Sequence, residues 1–382
     1  MTPDFRAFPS DPPVLTPAAV HALLRHASAV HAASDVQFIP GYPARAAILG
    51  ELQDLMVRPL SQYDTAAVVV ATRGVEGESL VRGGEAVSYS TEIPLQEGEA
   101  IHKGSLRFRT EAAACEYLAD TAPRVVFRYL PSAVPALENQ NPGLPPDLQA
   151  AVLPHRGMVL VVGGTGTGKS TLLAGIIRRL GQTRADTILT FEQPIEFVYR
   201  PRLLLAEGPW RATVSQSEIG RHFASWSMAL RSALRSGPQV LLVGEMRDAE
   251  SITAAVEFVR TGHLLYSTMH VDGVAAIPTE IAARTGNDAS MLARVTGVLS
   301  AAVYQRLAKR ADGTGRVAVR EYLIMTHALR RTLLPLSAAE AEACLADAMK
   351  RAGTDLASEA TRLADQGVIT ADEALRVTGG LL

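Results

Sequence analysis

The segment Gly163-Gly164-Thr165-Gly166-Thr167-Gly168-Lys169-Ser170-Thr171 constrains this chain more than any other stretch. It fits G-x-x-x-x-G-K-[ST] without a mismatch, and its flanks have the right character. Met158 to Val162 is a short apolar, β-branched run that predicts a buried strand. Leu172, Leu173, Ile176, Ile177 and Leu180 recur at helical spacing up to Gly181. Strand, glycine loop and helix in succession make an anion nest: the glycines let successive N–H groups face one way, and the helix N-terminus adds partial positive charge. By the same pattern Lys169 would reach the β- and γ-phosphates of a nucleoside triphosphate, and the Ser170 hydroxyl would ligate Mg²⁺. A glycine-rich turn without a ligand is the alternative reading, and a full match in this setting argues against it.

Composition enters mainly by exclusion. At 382 residues the chain has room for two or three domains and a sizeable core. Hydrophobic residues make up 47%, charged residues 20%, and the formal net charge is −2, which gives no global attraction to nucleic acid or anionic lipid. Lys103, Lys169, Lys309 and Lys350 are the only lysines, an arginine bias that carries no functional signal by itself. Cys115 and Cys344 match no metal or redox spacing and are expected as unpaired, buried thiols in a reducing cytoplasm. No apolar run approaches the ~18 residues of a membrane span. The start of the chain lacks the basic and apolar pattern of a signal peptide. A cytoplasmic location is expected, with peripheral membrane attachment left open.

Met1 to Leu15 is proline-rich and predicts an extended arm. Thr16 and Pro17 supply an N-cap and a first-turn proline for a helix whose apolar face is Val20, Leu23, Leu24, Ala27 and Val30. The patterns then shorten into Val36–Ile39, Ala46–Leu49, a mixed run at Ala67–Val70 and a strand-like Ala86–Ser90. Leu106–Arg109 and Val125–Leu130 alternate basic with apolar residues, as half-buried strands do. Residues 1–130 thus predict a small α+β domain. Prolines 131, 135, 142, 145 and 146 make residues 131–147 an interdomain linker, semi-rigid because proline restricts it. From 148 to 382, strands at 158–163, 187–191, 239–243 and 263–267 alternate with helices at 169–181, near 217–235, at 248–260, and near 274–284 and 287–305. Such alternation predicts a mainly parallel sheet covered on both faces. The C-terminal region, about 330–382, reads as wholly helical.

The strand ends hold candidate chemistry, because ligands of parallel α/β sheets sit beyond the carboxyl ends of the strands. Gln239–Val243 runs into Gly244-Glu245-Met246-Arg247-Asp248. Glu245 there would hold a water of the metal or orient the attacking one. The alternative, an acid complementing the next helix dipole, suits Asp248 better. Thr187–Phe191 runs into Glu192-Gln193-Pro194-Ile195-Glu196, where Pro194 breaks the strand and leaves Glu192 at the same edge. Glu196 is expected at the surface or a domain boundary. Thr261–Met269 ends at His270, a γ-phosphate sensor at a third strand tip or a structural hydrogen-bonder. His263 and His270 lie seven apart without a nearby thiol, which does not make a zinc site.

The phosphate loop, Phe191–Phe197, Gly244–Asp248 and Thr261–His270 resemble, in order and approximate spacing, the Walker A, Asp box, Walker B and His box of the bacterial secretion ATPase family. That family comprises the hexameric motors of type IV pili, type II secretion and type IV secretion. Phe223–Pro238 resembles its arginine-bearing helix. The similarity is strong over about 150–310 and weak over about 16–131, where Ala33–Val36 and Gly41–Pro43 resemble the entry to the family's N-terminal domain. The resemblance implies a RecA-like P-loop ATPase domain, a smaller N-terminal α+β (PAS-like) domain and a helical C-terminal tail. By position, Lys169 and Ser170 match the family's phosphate and metal ligands, Glu245 its Walker B glutamate, Glu192 its Asp-box glutamate and His270 its His-box histidine. Arg109 and Arg128 match the two N-terminal-domain arginines that approach the γ-phosphate, with Arg107 and Arg124 as the nearest substitutes. Their alternative is an exposed strand arginine.

Two departures refine the match. Gln193 stands where most members have Asp, and no four-cysteine zinc module is present in the sequence. The chain is therefore most similar to the DotB-like branch of type IVB secretion and conjugation ATPases, with PilT-like retraction motors next. The resemblance implies a homohexamer that uses ATP and Mg²⁺, clamps ATP between its domains and hinges at the linker. It also implies secretion-machine or coupling-complex partners on the cytoplasmic face of the inner membrane. Two rivals are an ATP-binding scaffold with negligible turnover, which Gln193 keeps open, and a nucleic-acid translocase. Near-neutral charge and the lack of a basic, aromatic strip argue against the latter and against a specific nucleic-acid partner.

Overall fold

The computed structural model describes residues 11–30, 33–48, 51–94, 105–130, 133–199 and 209–380. The chain divides into two units, Met1–Ala133 with Gln193–Val198, and Val134–Glu192 with Tyr199–Leu382. The arm expected over residues 1–15 lies outside the described residues up to residue 10.

In the first unit, helix α1 (Pro17–Arg25) starts where its cap predicts: the Thr16 hydroxyl accepts from the Ala19 N–H at 3.2 Å, and Val20, Leu23 and Leu24 are buried. Strands β1 (Asp35–Phe38), β2 (Arg45–Ile48) and β3 (Glu51–Asp54) precede helix α2 (Gln62–Arg82), which breaks its regular path at Gly74. The mixed run Ala67–Val70 belongs to that helix. Strands β4 (Val87–Pro94), β5 (Ser105–Tyr117) and β6 (Asp120–Leu130) complete a six-stranded sheet in the order β3-β2-β1-β6-β5-β4, antiparallel throughout. Burial alternates along β1 and β2, the mark of a sheet with one face on a core. Phe38, Phe108 and Phe127 fill that core edge-to-face. At the start of α2, Asp64 accepts from Ser61 N, both Arg58 terminal nitrogens and Leu15 N. Burial alone would raise its carboxyl, but the Arg58 guanidinium and the Ser61 and Leu15 donors hold it well below the ordinary carboxylate value.

The second unit runs α3 (Pro146–Ala151), β7 (Gly157–Val162), α4 (Lys169–Thr183), β8 (Thr187–Glu192), β9 (Thr213–Glu218), α5 (Trp226–Ser236), β10 (Val240–Val243), α6 (Ala249–Arg260), β11 (Leu264–Met269), α7 (Ile277–Arg284), α8 (Ala289–Val298), β12 (Leu299–Lys309), β13 (Arg316–Ile324), α9 (His327–Leu333), α10 (Ala338–Ala352), α11 (Leu356–Asp365) and α12 (Ala371–Thr378). Its seven-stranded sheet has the order β13-β12-β7-β11-β10-β8-β9, parallel except for the β12–β13 hairpin. Every residue of β7, β10 and β11 is buried, so both faces of the sheet centre are covered.

Two helix expectations are corrected. The helix near 217–235 begins only at Trp226, capped by Ser225, and 213–218 is an edge strand. The helix at 287–305 stops at Val298, and the chain continues as β12, buried on both faces and therefore without an alternating signal. The latter part of the linker is held in the second unit: Arg178 donates to the Val134 carbonyl, the Ala318 N–H donates to Asn141 O at 2.9 Å, and Leu137 is buried. The two cysteines are half-buried, not buried.

Candidate functional site

Register brings the predicted strand tips to one edge. In the parallel ladder β8-β10-β11-β7, Phe191 pairs with Val243, Val243 with Ser267, and Met269 with Val162. One step past these ends come Glu192, His270 and Gly163, with Glu245 two steps past Val243. The pairing continues into the loops: Gly244 N donates to Phe191 O at 2.7 Å, Met246 N to Thr268 O at 3.0 Å and Gly163 N to Met269 O at 3.3 Å. Glu192, Glu245, His270 and the phosphate loop thus stand on consecutive strands, all at the carboxyl ends.

The loop conforms to its glycines. Gly163, Gly166 and Gly168 have φ of +139°, +76° and +87°. A Cβ on Gly163 would lie 2.8 Å from the Gln305 carbonyl oxygen, and one on Gly168 would lie 2.7 Å from Gln305 Nε2. Gly164 is half-buried, Thr165 and Gly166 are exposed, and the Thr167 hydroxyl donates to Gly164 O at 3.0 Å. Lys169 is buried at the first turn of α4, with Nζ donating to Gly163 O at 2.8 Å and Gly164 O at 2.7 Å. Ser170 and Thr171 follow it on the same turn, half-buried and exposed. A glycine loop crowded at Gly163 and Gly168, leading into a helix start with a lysine in its first turn, fits a polyphosphate.

At the neighbouring tips, His270 Nε2 lies 3.6 Å from Glu245 Oε1, and Arg247 Nε donates to Glu245 Oε2 at 2.8 Å. Thr268 Oγ1 anchors the turn through Gly244 O at 2.6 Å, and Arg284 NH1 donates to Met246 O at 2.8 Å. Asp248 caps α6, accepting from Ser251 N at 2.8 Å, so the helix-start reading holds for it. Ser170 and Glu245 are oxygen donors of the kind Mg²⁺ takes.

Glu192 is held from its own and the next strand. Thr190 Oγ1 donates to its Oε1 at 2.7 Å, and Gln216 Nε2 on β9 donates to the same oxygen at 3.3 Å. Gln216 Oε1 in turn accepts from Tyr199 N at 2.8 Å. Burial, and then the Glu192 charge, push the Tyr199 phenol well above its usual value. Sequence reasoning missed Thr190, Tyr199 and Gln216. Only the i, i+2 spacing of Thr190 and Glu192 on one strand face was there to be read.

In the first unit, Arg109 on β5 and Arg128 on β6 are directly paired across the two strands. Arg109 is half-buried, while Arg128 is exposed and bonded through Nε to Asp35 Oδ1 at 2.8 Å. Arg107, two residues before Arg109, is buried and donates to Ile195 O and Glu196 O, each at 2.8 Å. It fastens to this unit the segment that directly follows Glu192 and Gln193.

Elsewhere on the second unit, Glu321 of β13 is buried and accepts from Val274 N. Burial raises its carboxyl against the pull of the Val274 and Leu356 amides.

The family described as type II/IV secretion system protein matches the chain over residues 100–376. A twitching motility protein of Neisseria gonorrhoeae is 34% identical over 286 residues, spanning 74% of this chain and 70% of the relative. Among solved structures, the ATPase DotB of Legionella pneumophila superposes with a TM-score of 0.86 and 30% identity, over 99% of this chain and 100% of the other. The pilus retraction motor PilT with bound ADP superposes with a TM-score of 0.77 and 27% identity, over 93% of this chain and 96% of the other.

Proposed function

The chain belongs to the type II/IV secretion system protein family, and from that premise we propose that it is an ATP-hydrolysing ring motor of a bacterial secretion or pilus machine. The observation that carries this reading is the common edge on which the phosphate loop, His270, Glu245 and Glu192 follow one another in strand order. ATP is the substrate, held by the amides of residues 163–171 and by Lys169. Bound Mg²⁺ would supply positive charge to offset that of the phosphates. Ser170 and Glu245 would hold it.

Glu245 is the candidate to orient the attacking water and take its proton, with Glu192 the second carboxylate at the edge. His270 is the candidate sensor of the terminal phosphate. Arg109 and Arg128 are the proposed cations for the charge that develops on the transferred phosphoryl group. The N-terminal unit would correspond to a PAS-like domain and residues 148–382 to a RecA-like ATPase domain with its helical tail, residues 131–147 holding the hinge. The working form would be a homohexamer, peripheral on the cytoplasmic face of the inner membrane. There it would engage secretion-machine or coupling-complex proteins. Among the described residues no helix is long and apolar enough to cross a membrane.

A DotB-like type IVB or conjugative machine is the favoured setting, supported by a superposition that spans both chains. Pilus retraction is the second reading, supported by the PilT superposition. The test is Mg²⁺-dependent phosphate release from ATP by the full chain, compared with Lys169→Ala. Turnover lost in the variant is expected. Equal rates would remove the phosphate-loop role, and binding without release in the wild type would favour a scaffold.

A further inference from the structure

Beneath the phosphate loop, β12 carries a buried amide. Gln305 is 2% exposed, and its Nε2 donates to the Thr167 carbonyl at 2.6 Å. Its Oε1 accepts from Arg320 Nε at 2.8 Å, and Arg320 is its direct cross-strand partner on β13. Arg320 is 4% exposed, and its remaining nitrogens donate to Pro142 O at 2.7 Å and Gln140 Oε1 at 3.3 Å. A continuous relay thus runs from the half-buried Gln140 and Pro142, through the buried Arg320 and Gln305, to the half-buried Thr167 of the loop.

The chemistry of the groups fixes every orientation in it. A guanidinium only donates, so Gln305 must present its oxygen to Arg320, and its amide nitrogen is left for Thr167 O. In a trans peptide the C=O and N–H point in opposite directions. Holding the Thr167 carbonyl against β12 therefore turns the Gly168 N–H away from β12. Gly168 has no slack in this arrangement, since a Cβ there would meet Gln305 Nε2 at 2.7 Å.

We propose that Gln305 is a positioning residue for nucleotide binding: it sets the Thr167–Gly168 peptide so that the Gly168 N–H faces the phosphates, and Arg320 sets Gln305. The role rests on the phosphate-loop reading above. Neither side chain touches the nucleotide in this account. Both act through one peptide plane, which affects binding in ground and transition states alike and so falls on KM.

The test compares full-length wild type, Gln305→Glu, Arg320→Lys and Lys169→Ala. ADP affinity is read by titration calorimetry, ATP turnover by KM and kcat, and folding by Tm. Gln305→Glu keeps the shape and the Arg320 pairing but sets oxygen against oxygen at Thr167. It should weaken ADP binding and raise KM by roughly tenfold or more, with kcat changed less than about threefold. Arg320→Lys keeps the charge, loses the fork, and should shift KM in the same direction by less. Gln305→Glu with wild-type ADP affinity and KM, or with a lowered Tm and unchanged KM, overturns the proposal in favour of a packing role. Should Gln305→Glu not fold, Arg320→Lys is judged by the same criterion. If Lys169→Ala binds ADP as the wild type does, the phosphate-loop reading itself fails and takes the positioning role with it.

Discussion

His270 and Glu245 face each other across the tips of adjacent parallel strands, Nε2 to Oε1 at 3.6 Å. The carboxylate's other oxygen is held by Arg247 at 2.8 Å. The glutamate side chain is 17% exposed and the histidine side chain 42%, so the imidazole is the more open of the two to solvent. An acid fixed on one side by a cation and facing a second polar group on the other has a defined direction for a water to approach.

Glu245→Gln should keep ATP binding and lower hydrolysis by about 10²–10⁴-fold, the usual range for a general base. Equilibrium ATP binding and phosphate release on the same preparation check it. Loss of binding together with turnover would assign Glu245 to folding of the edge.

Gly163→Ala should disable the loop. Its φ of +139° disfavours any L side chain, and the new methyl would meet the Gln305 carbonyl oxygen at 2.8 Å. A cost of about 1–3 kcal/mol in stability and a large loss of ADP affinity are expected. Denaturation with and without ADP measures both.

Arg107→Met should loosen residues 193–198 without unfolding the six-stranded sheet. Two hydrogen bonds from a buried cation, to Ile195 O and Glu196 O, would be lost, at about 1–3 kcal/mol for the unsatisfied groups. Hydrogen exchange by mass spectrometry should show faster exchange in 193–198 and unchanged protection in β6. Unchanged exchange in 193–198 would mean that packing alone holds the segment.

Asp64 predicts an acid sensitivity in the first unit. Its folded carboxyl titrates well below the ordinary value because donors from Arg58, Ser61 and Leu15 outweigh its burial. The stability it contributes is therefore full above the ordinary carboxylate range, near pH 4, and is lost as pH falls through the depressed folded value. Asp64→Asn should cost about 1–3 kcal/mol at neutral pH by weakening its paired hydrogen bonds to the half-buried Arg58, and should flatten the fall in stability below about pH 4. Thermal unfolding followed against pH tests the slope.

The legible parts of this chain are those written in contiguous residues. The phosphate loop, the Thr16 cap and the apolar runs of β7, β10 and β11 each declare themselves within ten residues, and the parallel register then fixes where Glu192, Glu245 and His270 must fall. What the sequence hid has a common physical cause. Strand β12 is buried on both faces and contains alanines, so neither period two nor low helix propensity marks it, and its residues 299–305 read as the end of a helix. Without β12 and β13 the Gln305–Arg320 pair had no place, and its link to Thr167 spans 138 residues of sequence. The grouping of 193–198 with the first unit was equally silent, because it depends on Arg107, some 88 residues earlier.

Arg320 and Glu321 are consecutive on β13, and a strand sends consecutive side chains to opposite faces. One serves the relay under Thr167, while the other receives the Val274 amide. Removing a single residue between the turn and Arg320 would set the Glu321 carboxylate into the relay, and adding one there would set the Arg320 guanidinium against an N–H donor. The exposed turn at Gly313 and Gly315 carries no such parity, so an epitope or reporter spliced into this hairpin belongs at the bend and not in its rungs.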